Sequence, residues 1–187
     1  MADRPLDEDA GMPAGFSERL TPARWLLDHE HFVPQKGDAL DVACGRGRHA
    51  LWLAARGLAT LAIDQDPKAV SFVDAEAARR RLPLRAALMD LETEPVRIGV
   101  AAYDVIVVVH YLHRPLMPSL RDALRPGGIL IYETFTRAQA QRGKPSNPAF
   151  LLEPGELREL VAPLVVVVER EGDYEGKMLA SVIARRP

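Results

Sequence analysis

At 187 residues the chain has the size of one compact domain, and no change of composition divides it, so a single domain over residues 1–187 is expected. Its 24 basic and 26 acidic side chains leave a formal net charge of −2, which supplies no broad positive field for a nucleic-acid backbone, and no nucleic-acid partner is expected. Cys44 is the one cysteine, which excludes an internal disulfide, and the acidic start of the chain lacks the pattern of a secretory signal. Apolar runs such as 105–109 and 164–168 fall far short of the roughly 20 residues of a membrane-spanning helix, so the expected setting is cytoplasmic, with no membrane partner.

Residues 1–15, with several Gly, Pro and Asp and little hydrophobic pattern, read as a mobile N-terminal arm. Thr21-Pro22 has the form of an N-cap followed by proline in the first helical turn, with Trp25, Leu26 and His29 on one face of the helix. From residue 37 onward short apolar runs alternate with helical patterns, the signature of parallel strands joined by crossover helices. Strands are expected at 39–43, 58–63, 84–89, 103–109 and 129–134. Helices are expected at 49–56, from the Asp66-Pro67 cap to about Arg81, and at 116–124, the last stopped by Pro126-Gly127-Gly128. After a helix at 156–161, strands at 164–170 and 178–185 are separated by a polar link too short for a crossover, so they should form an antiparallel pair. The expected fold class is therefore α/β, a three-layer Rossmann-like sandwich whose mostly parallel seven-stranded sheet closes with an antiparallel C-terminal strand.

The segment from Asp41 to Ala50, DVACGRGRHA, lies where a buried strand turns into a helix. Gly45 and Gly47 permit a sharp turn and close approach of a ligand, while the helix N-terminus offers unpaired amide donors. Spacing alone also fits a dinucleotide fingerprint, because Asp64 follows about 20 residues later. The charge of Asp41 favours a different ligand: a carboxylate before the loop opposes a pyrophosphate and attracts a sulfonium and an ammonium group.

Asp41 to Gly47, the acid Asp64 after the second strand, Met89-Asp90-Leu91 after the third and Leu124-Arg-Pro-Gly-Gly128 before the fifth together resemble the class I, S-adenosylmethionine-dependent methyltransferases. The resemblance implies S-adenosylmethionine as cofactor, with Gly45 and Gly47 along its methionine part and Asp41 anchoring that region. It implies that Asp64 accepts from the ribose hydroxyls, that Asp90 accepts from the adenine amino group, and that Leu91 covers the adenine face. The carbonyl near Val109 or His110 would take the ammonium group, and Arg48 would pair with the carboxylate. Glu133-Thr-Phe-Thr and the segment 147–157 are similar to small bacterial methyltransferases of the tellurite-resistance type. Cys44 and Arg46 stand where many members of the family have small residues, which would narrow the pocket slightly.

His110, Tyr111 and His113 follow the fourth strand, where an acceptor would meet the methyl group, and Glu133 ends the fifth; these four are the candidates for a general base. They could equally well only shape the pocket. Cys44 at the end of a buried strand reads as packing and not as a nucleophile, and Arg79-Arg80-Arg81 as charge complementing a helix C-terminus. No metal ligands are expected. The expected reaction is in-line displacement of a methyl group onto a small-molecule acceptor, with a base needed only for an acceptor that arrives protonated. A nicotinamide-dependent oxidoreductase and a non-catalytic S-adenosylmethionine-binding protein are the rival readings.

Overall fold

Successive side chains of a strand point to opposite faces, and the central strands of this chain are apolar on both, so each face requires its own cover. The computed structural model describes residues 20–93 and 96–187 and places helices on both sides of one seven-stranded sheet. The arm expected at 1–15 lies outside the described residues. The strands are β1 (Asp38–Val42), β2 (Ala59–Asp64), β3 (Leu84–Leu88), β4 (Tyr103–Val109), β5 (Leu124–Phe135), β6 (Val165–Tyr174) and β7 (Lys177–Arg185). Their spatial order is β3-β2-β1-β4-β5-β7-β6. β1 to β5 pair in parallel, and β7 runs against both β5 and β6. The three-layer α/β sandwich expected from the sequence is the one observed.

The helices are α1 (Arg24–Asp28), α2 (Arg48–Ala55), α3 (Pro67–Arg80), α4 (Met117–Ala123) and α5 (Glu156–Val161). In β4, Val105, Val107 and Val109 pack with Trp25 and Leu26 of α1 and Trp52 and Leu53 of α2. The alternate residues Ile106 and Val108 pack with Leu120 of α4 and Leu157 of α5 on the other face. A further cluster joins Leu51 and Ala54 of α2 to Val73 and Ala77 of α3. β1 lies between β2 and β4, the point where the winding of the sheet reverses, and in such sheets a crevice opens at the carboxyl ends of the strands.

Several boundaries depart from the sequence expectation. α1 begins at Arg24, capped by Ala23 without a side-chain bond and not by Thr21, because the Ala23 carbonyl accepts the Leu26 and Leu27 amides at 3.0 and 3.2 Å. β5 starts at Leu124, where it pairs with Tyr103, and a register shift then carries the strand across the Pro-Gly-Gly segment that was expected only to stop a helix. The C-terminal hairpin is tighter than a seven-residue link: β6 reaches Tyr174 and β7 begins at Lys177, leaving Glu175 and Gly176 at φ 54° and 75°. Positive φ at both turn residues matches the twist of the flanking strands, which lets the polar residues 171–174 pair. At α3 the expected cap holds, with Asp66 accepting from the Lys68 amide at 2.9 Å ahead of Pro67. Arg79 and Arg80 turn back onto Glu76 in the last turns of that helix.

Gly128 sits in the register shift, and a Cβ there would stand 2.8 Å from the Arg125 carbonyl oxygen and 3.1 Å from that of Tyr103. Backbone on two strands cannot yield cheaply, so Gly128→Ala is expected to lower stability by about 1–3 kcal/mol, read as a lower urea midpoint with an unchanged slope.

Candidate functional site

The loop between β1 and α2 is built from alternating left-handed residues, Ala43 at φ 53°, Gly45 at 53° and Gly47 at 71°. The Cys44 amide donates to the Ile63 carbonyl at 3.0 Å and the Gly47 amide to the Cys44 carbonyl at 2.9 Å, which pins the loop to the end of β2. The two glycines serve different ends. A Cβ on Gly45 would meet nothing within 4 Å, so that side of the loop faces open space, whereas a Cβ on Gly47 would stand 2.6 Å from Val73 Cγ2. Gly47 is thus required for α3 to pack on the loop, and Gly45 is the one that lets a ligand approach.

Gly47 is also the N-cap of α2 and has no side chain to satisfy the helix amides. Asp41 supplies the missing acceptor from β1: its Oδ2 takes the Ala50 amide at 2.9 Å, and the residue is only 1% exposed. Its Oδ1 lies 3.7 Å from His49 Nδ1, beyond hydrogen-bond length, and has no hydrogen-bond partner. A buried carboxylate with one oxygen unsatisfied beneath the loop suits a cationic ligand group better than a pyrophosphate.

Asp64 ends β2 and is held by two amides, Gly45 to Oδ2 at 2.7 Å and Asp66 to Oδ1 at 2.9 Å. Each oxygen keeps a further lone pair, as an acceptor from two adjacent hydroxyls needs. Asp90 lies in the turn after β3, exposed, with Oδ1 accepting from the Glu92 amide and Oδ2 from the Thr93 hydroxyl at 2.9 and 2.7 Å. Those donors hold its carboxyl below the usual range, with a smaller contribution from the charge of His113. The Leu91 side chain is buried in the core below this turn. The Tyr111 hydroxyl is buried without a hydrogen-bond partner, and burial, together with the charges of Glu92, Asp90 and Asp64, pushes its pKa up to about 12. Tyr111, one of the base candidates, thus stays protonated at neutral pH and faces the charges of Glu92, Asp90 and Asp64.

On the other side of the β4 end, Arg48, His110, Glu133 and Lys177 line one cavity of about 440 Å³, walled opposite by Pro22, Ala23 and Leu27. His113 does not line it, so the four base candidates do not converge. His110 is left-handed at φ 60°, donates its amide to the Glu133 carbonyl at 2.8 Å and stacks on Phe135 with ring centroids 4.6 Å apart. Burial first, then the nearby charges of Arg48 and Lys177, depress its imidazole to about 4. Such a ring is neutral at pH 7 and a weak base, suited to orienting an acceptor. Glu133 is 3% exposed, and its Oε2 accepts from Ser181 at 2.7 Å and from Arg170 at 3.1 Å. Those two contacts fix the position of its carboxyl group.

Arg48 is the first residue of α2, where the helix dipole disfavours a cation. It is half-buried, with burial lowering its pKa against the opposing pull of Asp41, Glu133 and Glu175, and among the described residues no hydrogen bond or ion pair engages it. A guanidinium so placed can take a ligand carboxylate. Val109 ends β4 beside Glu133 and is 8% exposed. Cys44 is buried, and burial with the charges of Asp41 and Asp64 pushes its thiol far above the ordinary range, which keeps it unreactive. Arg46 is exposed, lies over the Phe72 ring of α3 at 4.4 Å and lines a cavity with Gly45 and Phe72.

Lys177, Ser181, Arg170 and the wall at residues 22–27 escape sequence reading because β6, β7 and α1 reach the site only through the sheet order. Among the described residues no group of three or more His, Cys, Asp and Glu could hold a metal ion, and no helix is long and apolar enough to cross a membrane.

Residues 39–128 match a protein-family model described as a methyltransferase domain. Hemagglutinin 1 of Eikenella corrodens is 31% identical over 129 residues, 66% of this chain and 42% of that protein. A probable cobalt-precorrin-6B C(15)-methyltransferase (decarboxylating) of Methanothermobacter thermautotrophicus is 32% identical over 101 residues, 52% of this chain and 53% of that protein. The chain thus spans only 42% and 53% of the length of these two curated relatives. Among solved structures, TehB from Haemophilus influenzae superposes with a TM-score of 0.71 at 19% identity, over 87% of this chain and 61% of that one. A SAM dependent methyltransferase from Aquifex aeolicus does so with 0.64 at 18%, over 84% and 87%.

The depressed imidazole of His110 makes a signed prediction about stability. Between its ordinary value of 6.5 and about 4, the unfolded chain binds a proton there that the folded chain does not. This contribution to stability is therefore intact above the unfolded value and lost as pH falls through that window. His110→Phe should flatten the fall in urea midpoint between about pH 7 and about pH 4.5, and an unchanged slope would contradict the assignment.

Proposed function

We propose that this chain, whose residues 39–128 match a methyltransferase domain, is a class I, S-adenosylmethionine-dependent enzyme that transfers a methyl group to a small molecule held in the cavity beside Arg48, His110 and Lys177. The observation that carries this reading is the set of acids Asp41, Asp64 and Asp90 at the ends of three adjacent strands, around a loop whose Gly45 faces open space. S-adenosylmethionine, when bound, supplies an electrophilic methyl group on a sulfonium whose departure as a neutral thioether needs no acid.

The residues present fit that cofactor. Asp64 would accept from the ribose hydroxyls, Asp90 from the adenine amino group with Tyr111 and the Leu91 amide close by, and Arg48 would take the carboxylate. Gly45 leaves room for the methionine part, while Asp41 and the carbonyl at Val109 or His110 would hold its cationic groups. Gly47 contributes by packing the loop on α3. The chain's own work in the transfer is then to position: neutral His110 orients the acceptor, Glu133 is held beside it by Arg170 and Ser181, and α1 limits water on the cavity side. Holding reacting atoms about 3 Å apart in line removes much of the entropic barrier.

A cavity of about 440 Å³ falls in the range that encloses small ligands, which supports a small acceptor, and the net charge of −2 gives a polyanion no general attraction. The tellurite-resistance type suggests soft acceptors such as metalloid oxyanions and thiolates, which need no base. A cytoplasmic setting belongs to the same proposal.

Calorimetric titration should show S-adenosylmethionine binding and no binding of nicotinamide cofactors. Asp64→Ala should weaken it roughly 10- to 100-fold, the scale of hydrogen bonds to a charged group. Binding of a nicotinamide cofactor alone would overturn the proposal. Methyl-labelled cofactor incubated with metalloid oxyanions, thiols, phenols and amines should label one class. Cofactor binding with no transfer to any of them would favour a non-catalytic binding protein.

A further inference from the structure

The imidazole of His49 is 3% exposed and touches two parts of the site. Its Nε2 accepts the Ala23 amide at 3.2 Å across 26 residues of sequence. An imidazole nitrogen that accepts carries no proton, so in the neutral ring the proton sits on Nδ1. That nitrogen faces Asp41 Oδ1 at 3.7 Å, the one carboxylate oxygen beneath the loop without a partner. Ala23 is the N-cap of α1 and part of the cavity wall, and its carbonyl carries the first amides of that helix.

We propose that His49 is a positioning residue that couples the two halves of the site, linking Asp41 under the cofactor loop to Ala23 in the wall of the acceptor cavity. The proposal rests on the methyltransferase reading for what each half holds. α2 begins at the loop, and its second residue is His49, so any adjustment of the Asp41 carboxylate toward a bound cation moves the partner of Nδ1 and, through one rigid ring, the acceptor of the Ala23 amide. α1 has five residues and no side-chain cap: Trp25 and Leu26 pack it on the sheet, and the Ala23 amide contact ties its N-cap to His49.

Three variants separate the two contacts. His49→Asn keeps a donor near the Nδ1 position but cannot reach Ala23, His49→Gln places an acceptor near the Nε2 position, and His49→Phe keeps the ring and loses both. Amide hydrogen exchange at Ala23, measured with and without S-adenosylmethionine, is the readout that a merely structural role would not move selectively. In the wild-type protein the cofactor should slow exchange at Ala23. In His49→Asn and His49→Phe that amide should exchange roughly three- to tenfold faster, the scale of one net hydrogen bond, and stop responding to the cofactor, while His49→Gln restores the protection of Ala23 but not its response to the cofactor. Unaltered Ala23 exchange in His49→Phe would overturn the proposal, as would a loss of protection spread evenly over β1 and β4. If the wild-type protein fails to bind S-adenosylmethionine, the methyltransferase reading falls and the coupling with it. Ala23 exchange in the cofactor-free variants then shows separately whether His49 holds α1.

Discussion

A helix that starts at a glycine has no side chain of its own to close its first turn, and in this protein the closure comes from inside the sheet. Asp41, in the middle layer, reaches across nine residues to the Ala50 amide and sets where α2 begins. A buried acid is costly to hold without partners, and it is tolerated here beside the positive end of a helix dipole. Because the loop between the two is then short and left-handed at alternate residues, its amides and Gly45 are presented at the point where the sheet reverses its winding. The candidate site follows from that one contact.

Charge divides the site into two sides. Asp64 and Asp90, with the protonated hydroxyl of Tyr111 near them, form an accepting surface at the ends of β2 and β3. Beyond β4 the cavity is lined by Arg48 and Lys177, with Glu133 already engaged by Arg170 and Ser181 and His110 kept neutral by burial. Asp41, Arg48 and His49 sit at the boundary, all within or just ahead of the first turn of α2. In the proposed reading a ligand with cationic and anionic ends on an adenosine body lies across that boundary, and the cavity beside Arg48 and Lys177 takes the acceptor.

Local patterns made the frame legible. The alternation of apolar runs with helical spacing reads as parallel strands and crossover helices because each strand must be covered on both faces, and the observed order of elements agrees. The Asp66-Pro67 cap, the glycine loop and the acids at strand ends are short-range signals, spelled within a few residues of the backbone they act on. Thr21-Pro22 is a good cap in isolation, but α1 is capped at Ala23, whose carbonyl accepts the Leu26 and Leu27 amides while its own amide donates to His49, 26 residues away. The Pro-Gly-Gly segment is a helix stop by local chemistry, and its continuation as a strand depends on Tyr103 of the neighbouring strand.

The sequence by itself determined the layers, the glycine loop and the acids near the strand ends, since periodicity, capping and glycine placement act through neighbouring residues. Which of those residues share a cavity was decided only by the tertiary structure. His110 and His113 stand three positions apart, yet the cavity includes one and not the other. Tyr111 joins the acids, and Glu133 is claimed by Arg170 and Ser181 from the hairpin beyond it. Burial and the crossing of distant strands set those outcomes, and neither is written in the spacing along the chain.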